Sequence, residues 1–147
     1  MITIDNILFA YPRGGWLFHN FSLEIADGHI VGLLGANSTG KSTLLKLICG
    51  LLTPQRGNVK IEGIRSNERS VELMSRVVVV PEEFVLPNIS IIDYARANAP
   101  FYPCFDHTQM VAALEAFEVD TTKKLNSMSM GQRKKALLSF ALACNTD

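Results

Sequence analysis

The sequence predicts an α/β fold, and three observations carry that prediction. Two nearly continuous apolar runs of strand length, "HIVGLLG" and "RVVVV", flank the amphipathic stretch "KSTLLKLICGLL", so a strand, a helix and a strand follow one another. Shorter segments before and between them alternate apolar and polar residues with period two, as half-buried strands do. From Pro87 onward the spacing becomes helical, with loops rich in proline and aromatic residues. A chain of 147 residues, 48% of them apolar, is long enough to bury a sizeable core.

In chain order, "ITIDNILFAY" is the first strand candidate. "FSLEI" places Phe21, Leu23 and Ile25 on one face, and "NVKIEG" does the same with Val59 and Ile61. The runs "HIVGLLG" and "RVVVV" lack alternation, which is the pattern of strands covered on both faces in a parallel sheet, and both are expected to be central. Between them Leu44, Leu45, Ile48, Leu51 and Leu52 recur at helical spacing until "TPQRG" breaks the chain. Parallel strands joined through a helix cross over with right-handed sense, so a doubly wound core is expected. Further on, Ser90 with Asp93 and Asp106 with Gln109 have the spacing of capping boxes, opening helices over "SIIDYARANA" and "DHTQMVAALEAF".

Bulk properties remove several function classes. Fourteen basic side chains balance fourteen acidic ones, so no general affinity for nucleic acid or acidic membranes is expected. Cys49, Cys104 and Cys144 are odd in number and show no Cys-x-x-Cys spacing, which points to reduced thiols in a cytosolic setting. No run approaches the roughly 18 apolar residues that span a bilayer, and the amino terminus lacks a signal-peptide pattern. Any membrane role is expected to run through a partner.

The stretch "GANSTGKST" satisfies G-x-x-x-x-G-K-[ST] through Gly35, Gly40, Lys41 and Ser42. Glycines let successive N–H groups turn into one concavity, and the helix that follows adds its positive amino end. Gly35, Ala36, Asn37, Ser38, Thr39, Gly40, Lys41, Ser42 and Thr43 are therefore the candidate nucleotide-binding residues. Lys41 is placed to neutralise outer phosphates, and the Ser42 hydroxyl to ligate Mg²⁺, a hard cation that prefers oxygen. The helix opens Lys41, Ser42, Thr43 with no acid nearby, an order that favours a bound anion.

A second helix start carries the same signature. In "NSMSMGQRKKALLSFALAC", Ser129 and Gln132 have capping-box spacing, and Ala136, Leu137, Phe140, Ala141 and Cys144 supply an apolar stripe. No acid opens this helix either, and Arg133, Lys134 and Lys135 follow at once, so its amino end is a second candidate phosphate site.

With these two motifs in place the sequence resembles the nucleotide-binding domain of ATP-binding cassette (ABC) transporters along essentially its whole length. "SMSMGQ" is similar to that family's signature, usually Leu-Ser-Gly-Gly-Gln, with Ser129, Gly131 and Gln132 matching. "LLGANSTGKSTLLKLICGLLTPQRGNVKIEG" resembles its Walker A region running into the next hairpin, and the segment after "VVVVP" resembles its Q-loop. Tyr11 stands where the family places an aromatic that stacks on adenine, with Leu17 lining the same pocket.

The resemblance implies a P-loop NTPase core with a partial parallel sheet, an N-terminal antiparallel β subdomain and a helical insertion. Residues 1–34 and 57–64 are expected to be mainly β subdomain, 35–56 and 70–81 P-loop core, 82–128 the insertion and 129–147 the signature helix. It implies an ATPase using ATP and Mg²⁺, a head-to-tail dimer with a second nucleotide-binding domain, a transmembrane permease subunit and a place on the cytoplasmic face of the membrane. Lys41 and, in trans, Ser129 are the implied catalytic residues, with Ser42 and Glu82 at the metal. A soluble regulatory or translation-associated nucleotide binder is the alternative. The rings of Phe84, Tyr94, Phe101, Tyr102 and Phe105, with Leu86, are divided between core and a permease-facing surface.

Three departures from the family pattern matter. Glu82 stands where the family has glutamine; it still offers an oxygen to Mg²⁺ but brings a charge. Met130 replaces the signature's first glycine, where the backbone approaches the γ-phosphate, so slow hydrolysis is expected; Met128 for leucine nearly conserves volume. The family continues into a Walker B strand, an acidic residue and a switch histidine, whereas the sequence stops at Asp147, and His19, His29 and His107 all lie earlier. The expectation is a fragment of a larger domain that binds ATP without turning it over.

Overall fold

The structure, a computed structural model, describes residues 1–146, and these form two compact units, residues 1–73 and 74–146. Unit 1 is built on a four-stranded antiparallel sheet. Strands β1 (Ile2–Ala10), β2 (Trp16–Ile25), β3 (Arg56–Ile61) and β4 (Ile64–Arg65) lie in the order β2-β1-β3-β4. The three alternating segments are thus strands, and they share a register: Ile4 pairs with Leu23 on one side and with Val59 on the other. Alternation sets the buried face within each stretch, and register shifts between Ile4 and Ile7 and between Ile7 and Phe9 bring residues of the other parity onto it. Ile4, Ile7, Phe9, Phe18 and Val59 form the core, with Phe21 and Leu23 partly buried against it.

Helix α1 (Lys41–Ile48) lays Leu44 and Leu47 onto that core. It is shorter than its apolar spacing predicts. Gly50 takes a left-handed conformation (φ 67°) immediately after the helix, and the Leu51 N–H turns back to the Lys46 carbonyl at 2.8 Å. A side chain at Gly50 would also meet the Ser66 carbonyl oxygen at 2.0 Å, so both geometry and space require glycine there. Leu51 and Leu52 therefore lie beyond the helix, and two members of the predicted stripe, Leu45 and Leu51, face solvent.

The apolar runs expected as central strands differ more. Neither residues 29–35 nor residues 77–80 carry strand pairing among the described residues, and Ile30 and Leu34 are almost fully exposed, at 104% and 93%. A strand is completed by its neighbour. An apolar run states a demand for cover on both faces but does not contain the ladder partner that satisfies its N–H and C=O groups.

A short helix α2 (Val71–Met74) straddles the division in sequence, and unit 2 is otherwise helical. Helices α3 (Ile91–Asn98), α4 (His107–Ala116) and α5 (Met130–Ala143) enclose a core of Ile91, Met110, Leu114, Leu125, Met128 and Phe140. Both predicted caps are formed by side chains. The Ser90 hydroxyl accepts from the Asp93 N–H at 3.1 Å and donates to its carboxylate at 2.7 Å, while Asp106 accepts from the N–H groups of Thr108 (2.8 Å) and Gln109 (3.0 Å). The hydrogen bond from Ser90, with the Arg96 and Lys124 charges adding to it, holds the Asp93 carboxyl below its ordinary range.

Phe140 is the hub of this unit. The rings of Tyr94, Tyr102 and Phe105 stand around it with centroids at 5.3, 5.8 and 5.3 Å. These three rings, with Leu86, are core, whereas Phe101 is 70% exposed. On α5 the buried set also includes Ser139 and Ala143; the Ser139 hydroxyl donates to the Lys135 carbonyl at 3.0 Å, so a polar residue sits in the core with its donor satisfied.

Removing the hub is expected to cost unit 2 about 3–5 kcal/mol, so Phe140→Ala should shift urea unfolding strongly toward lower denaturant, as followed by circular dichroism. The thiols give a second check. Burial pushes the Cys144 thiol up to about 11, and raises that of half-buried Cys49, while Cys104 is exposed. At pH 8 a thiol reagent should modify Cys104 first and leave Cys144 protonated and unmodified until the chain is unfolded.

Candidate functional site

The phosphate loop of unit 1 leads straight into α1, and Gly40 is the residue that joins them. It adopts φ 95°, and a Cβ there would lie 3.1 Å from both Leu17 and Phe18, so the loop passes over the sheet at a distance only glycine permits. Leu17 thus packs under the loop from β2, beside the helix start. Ser38 also takes a positive φ of 67°. The loop's own side chains satisfy its carbonyls: the Lys41 ammonium donates to the carbonyls of Gly35 (2.7 Å) and Ala36 (2.6 Å), and the Thr39 hydroxyl donates to Ala36 (2.9 Å). Lys41 therefore lies folded along the loop, the one cation within it.

The amino end of α1 is chemically unfinished. No side chain caps it and no acid lies in its first turn, whereas the starts of α3, α4 and α5 are each capped by a side chain. Its first N–H groups and the helix dipole favour an anion at this end. Ser42 and Asn37 are exposed at the site, and Thr43 is buried at 7% exposure. Tyr11, which follows β1, places its hydroxyl 3.1 Å from the Thr43 hydroxyl and as a residue is 44% exposed. Unit 1 therefore gathers Tyr11, Leu17 and residues 35–43 at one place. Beside them an open cleft of about 370 Å³ runs along Phe18, Phe21, Lys41 and Leu44.

Unit 2 holds the second helix start. Ser129 caps α5 in a reciprocal capping box: the Gln132 N–H donates to the Ser129 hydroxyl and the Ser129 N–H to the Gln132 side-chain oxygen, each at 3.3 Å. Met130 is 47% exposed on the first turn, and Met128 is core. Gly131 is helical, has an ordinary φ, and a Cβ there would meet nothing within 4 Å. Glycine inside a helix costs about 1 kcal/mol relative to alanine, and nothing in this unit requires it. Arg133 does not contribute to a free basic cluster as its position in the sequence suggests; its guanidinium donates to the carbonyls of Met128 (2.8 Å) and Asn126 (2.6 Å) and stitches the preceding turn.

Glu82 lies exposed in the 81–87 loop of unit 2. In unit 1 the exposed Ser42 hydroxyl is a hard oxygen donor of the kind Mg²⁺ takes, and the described residues hold no group of three or more His, Cys, Asp or Glu that could bind a metal alone. A single hydroxyl suits a cation that arrives with most of its ligands supplied by phosphates and water.

Two features escaped the sequence. The closeness of Phe18 to Gly40 has no signal in the spacing, because period two sets Phe18 opposite Phe21, Leu23 and Ile25, and only a register shift between Ile7 and Phe9 returns it to the core face. The Tyr11 to Thr43 contact joins residues 32 apart and has none.

A family model described as ABC transporter matches residues 18–147. The sn-glycerol-3-phosphate import ATP-binding protein of Psychromonas ingrahamii is 31% identical over 147 residues, covering 96% of this chain and 39% of that protein. Among solved structures, an ABC transporter ATP-binding protein of Pyrococcus furiosus superposes with a TM-score of 0.81 at 29% identity, covering 99% of this chain and 72% of that one. A dimeric bacterial ABC transporter cassette superposes with a TM-score of 0.79 at 25% identity, covering 99% and 71%. The chain spans well under two thirds of the length of the curated relatives it matches. The fold is that of a P-loop ATP-binding cassette, with the antiparallel β subdomain and helices described above.

The close passage at Gly40 sets a testable limit. Gly40→Ala is expected to destabilise unit 1 by about 1–3 kcal/mol through backbone strain and the contacts to Leu17 and Phe18, seen as a lower thermal midpoint.

Proposed function

The chain belongs to the ABC transporter family, and on that premise we propose that it binds ATP at the loop of residues 35–43 as part of a subunit that powers transport of a solute across a membrane. The observation that carries this reading is the bare amino end of α1, among the described residues the one helix start of eight residues or more without a capping side chain, set behind a loop whose cation is Lys41. A triphosphate supplies what that end lacks. Lys41 exchanges its two carbonyl partners for phosphate oxygens, the N–H groups of the first turn donate to the anion, and Tyr11 offers its exposed ring to the adenine. The Ser42 hydroxyl would offer an oxygen to Mg²⁺, which when bound would screen the charge of the phosphates.

The α5 start fits a role in trans. Gly131 leaves its backbone open to close approach, and Ser129 and Gln132 stand beside it, so a second nucleotide-binding domain meeting this one head to tail brings its own γ-phosphate to them. Met130, exposed on that same turn, narrows the approach and slows turnover. In the whole protein a positioned water attacks the γ-phosphorus, the bond to ADP breaks and inorganic phosphate leaves, with Lys41 and the trans Ser129 stabilising the charge that develops. The helical segment 82–128 carries dimer closure to a permease subunit on the cytoplasmic face of the membrane; no described helix is itself long and apolar enough to cross one.

Calorimetric titration tests the first step. The folded chain is expected to bind Mg-ATP, and Lys41→Ala to weaken that binding at least about tenfold, the effect of losing a charge-assisted contact. A folded chain that takes up no ATP, or a Lys41→Ala variant that binds it as well as the parent, would overturn the reading.

A further inference from the structure

Tyr11 is held at two points before any ligand arrives. Its hydroxyl lies 3.1 Å from that of Thr43, in the first turn of α1, and its ring meets Phe9 edge to face with centroids 5.1 Å apart at 86°. Both anchors are fixed: Phe9 is 4% exposed and Thr43 7%, while Tyr11 as a residue remains 44% exposed. One side chain of the phosphate-binding turn therefore fixes the orientation of the ring beside it.

We propose that Thr43 is a positioning residue for the nucleobase, its hydroxyl holding the Tyr11 ring as a preset stacking surface and tying base recognition to phosphate recognition. The inference rests on ATP binding at this loop. A hydroxyl has one proton and two lone pairs. If Thr43 accepts the Tyr11 proton, its own proton remains to be donated to a phosphate oxygen, so anion and ring engage the same group without competing. The chain then runs from Tyr11 to Thr43 to phosphate, and the anion polarises it along its length, strengthening the hold on the ring. Phosphate bound at α1 thereby stiffens the surface on which the base stacks, and the ordering of the ring is complete before the base lands.

The test compares two probes, ATP and inorganic tripolyphosphate, on the full 147-residue chain by calorimetry. The quantity read is the ratio of the two affinities, which a general loss of stability does not move. Tyr11→Phe keeps the ring and removes the hydroxyl, and is expected to lower that ratio roughly fivefold, the effect of one hydrogen bond. Thr43→Ser keeps the hydroxyl and should retain the parental ratio; Thr43→Val should lower it as Tyr11→Phe does. The double variant Tyr11→Phe with Thr43→Val should fall no further than either single one, since both remove the same bond. An unchanged ratio in Tyr11→Phe, or additive losses in the double variant, would overturn the proposal. If the parent binds neither probe, the assignment of the loop to ATP fails first; if it binds both and only the ratio stays unmoved, the positioning role alone fails. If Thr43→Val does not fold, Thr43→Ala, which also lacks the hydroxyl, replaces it in both comparisons.

Discussion

The requirement that shapes unit 1 is that the amino end of α1 stays open. Three other helix starts are completed by a serine or aspartate side chain accepting from their first N–H groups, and this one is not. Leaving such groups without a partner costs free energy, so the surroundings must hold the end in place by other means. They do so from below and from the side. Leu44 and Leu47 bury the opposite face of the helix on the sheet, Leu17 and Phe18 press against Gly40, and Lys41 folds back onto the carbonyls of the loop. The sheet, a remote element by sequence, is what keeps the loop in shape.

Much of this arrangement is readable in the residues, for identifiable reasons. Strands β1 to β3 announce themselves because one face is wet and the other dry, and period-two alternation records that difference directly. The starts of α3, α4 and α5 are legible because a cap is local: Ser90, Asp106 and Ser129 act within three residues of their own positions. The loop of residues 35–43 is legible because it too is local, two glycines five positions apart with a lysine and a hydroxyl at set places. Where a structure depends on distant partners, legibility ends. Residues 29–35 and 77–80 show a need for cover and not what supplies it. Tyr11 and Thr43 are separated by a strand and a loop, and no periodicity joins them.

Charge and polarity mislead in a particular way. Arg133 reads as one of three consecutive cations, yet its planar fork is spent on two backbone carbonyls of the preceding turn, a structural use that depends on geometry rather than on net charge. Ser139 is polar and yet lies in the core, because a hydroxyl in a helix can return its proton to the carbonyl four residues back. Leu51 and Leu52 continue the spacing of α1, and a single left-handed glycine between them and the helix overrides it. In each case one conformational or hydrogen-bonding option outweighs a pattern spread over many residues.

The reciprocal cap at the front of α5 has a consequence for how this surface can change over generations. Ser129 and Gln132 complete one another, so the turn that displays Met130 and Gly131 keeps its form whatever approaches it. The scaffold of the turn is thereby independent of the side chain at 130, which is exposed and takes no part in the cap. A replacement there is expected to alter the surface while leaving the reciprocal bond beneath it intact.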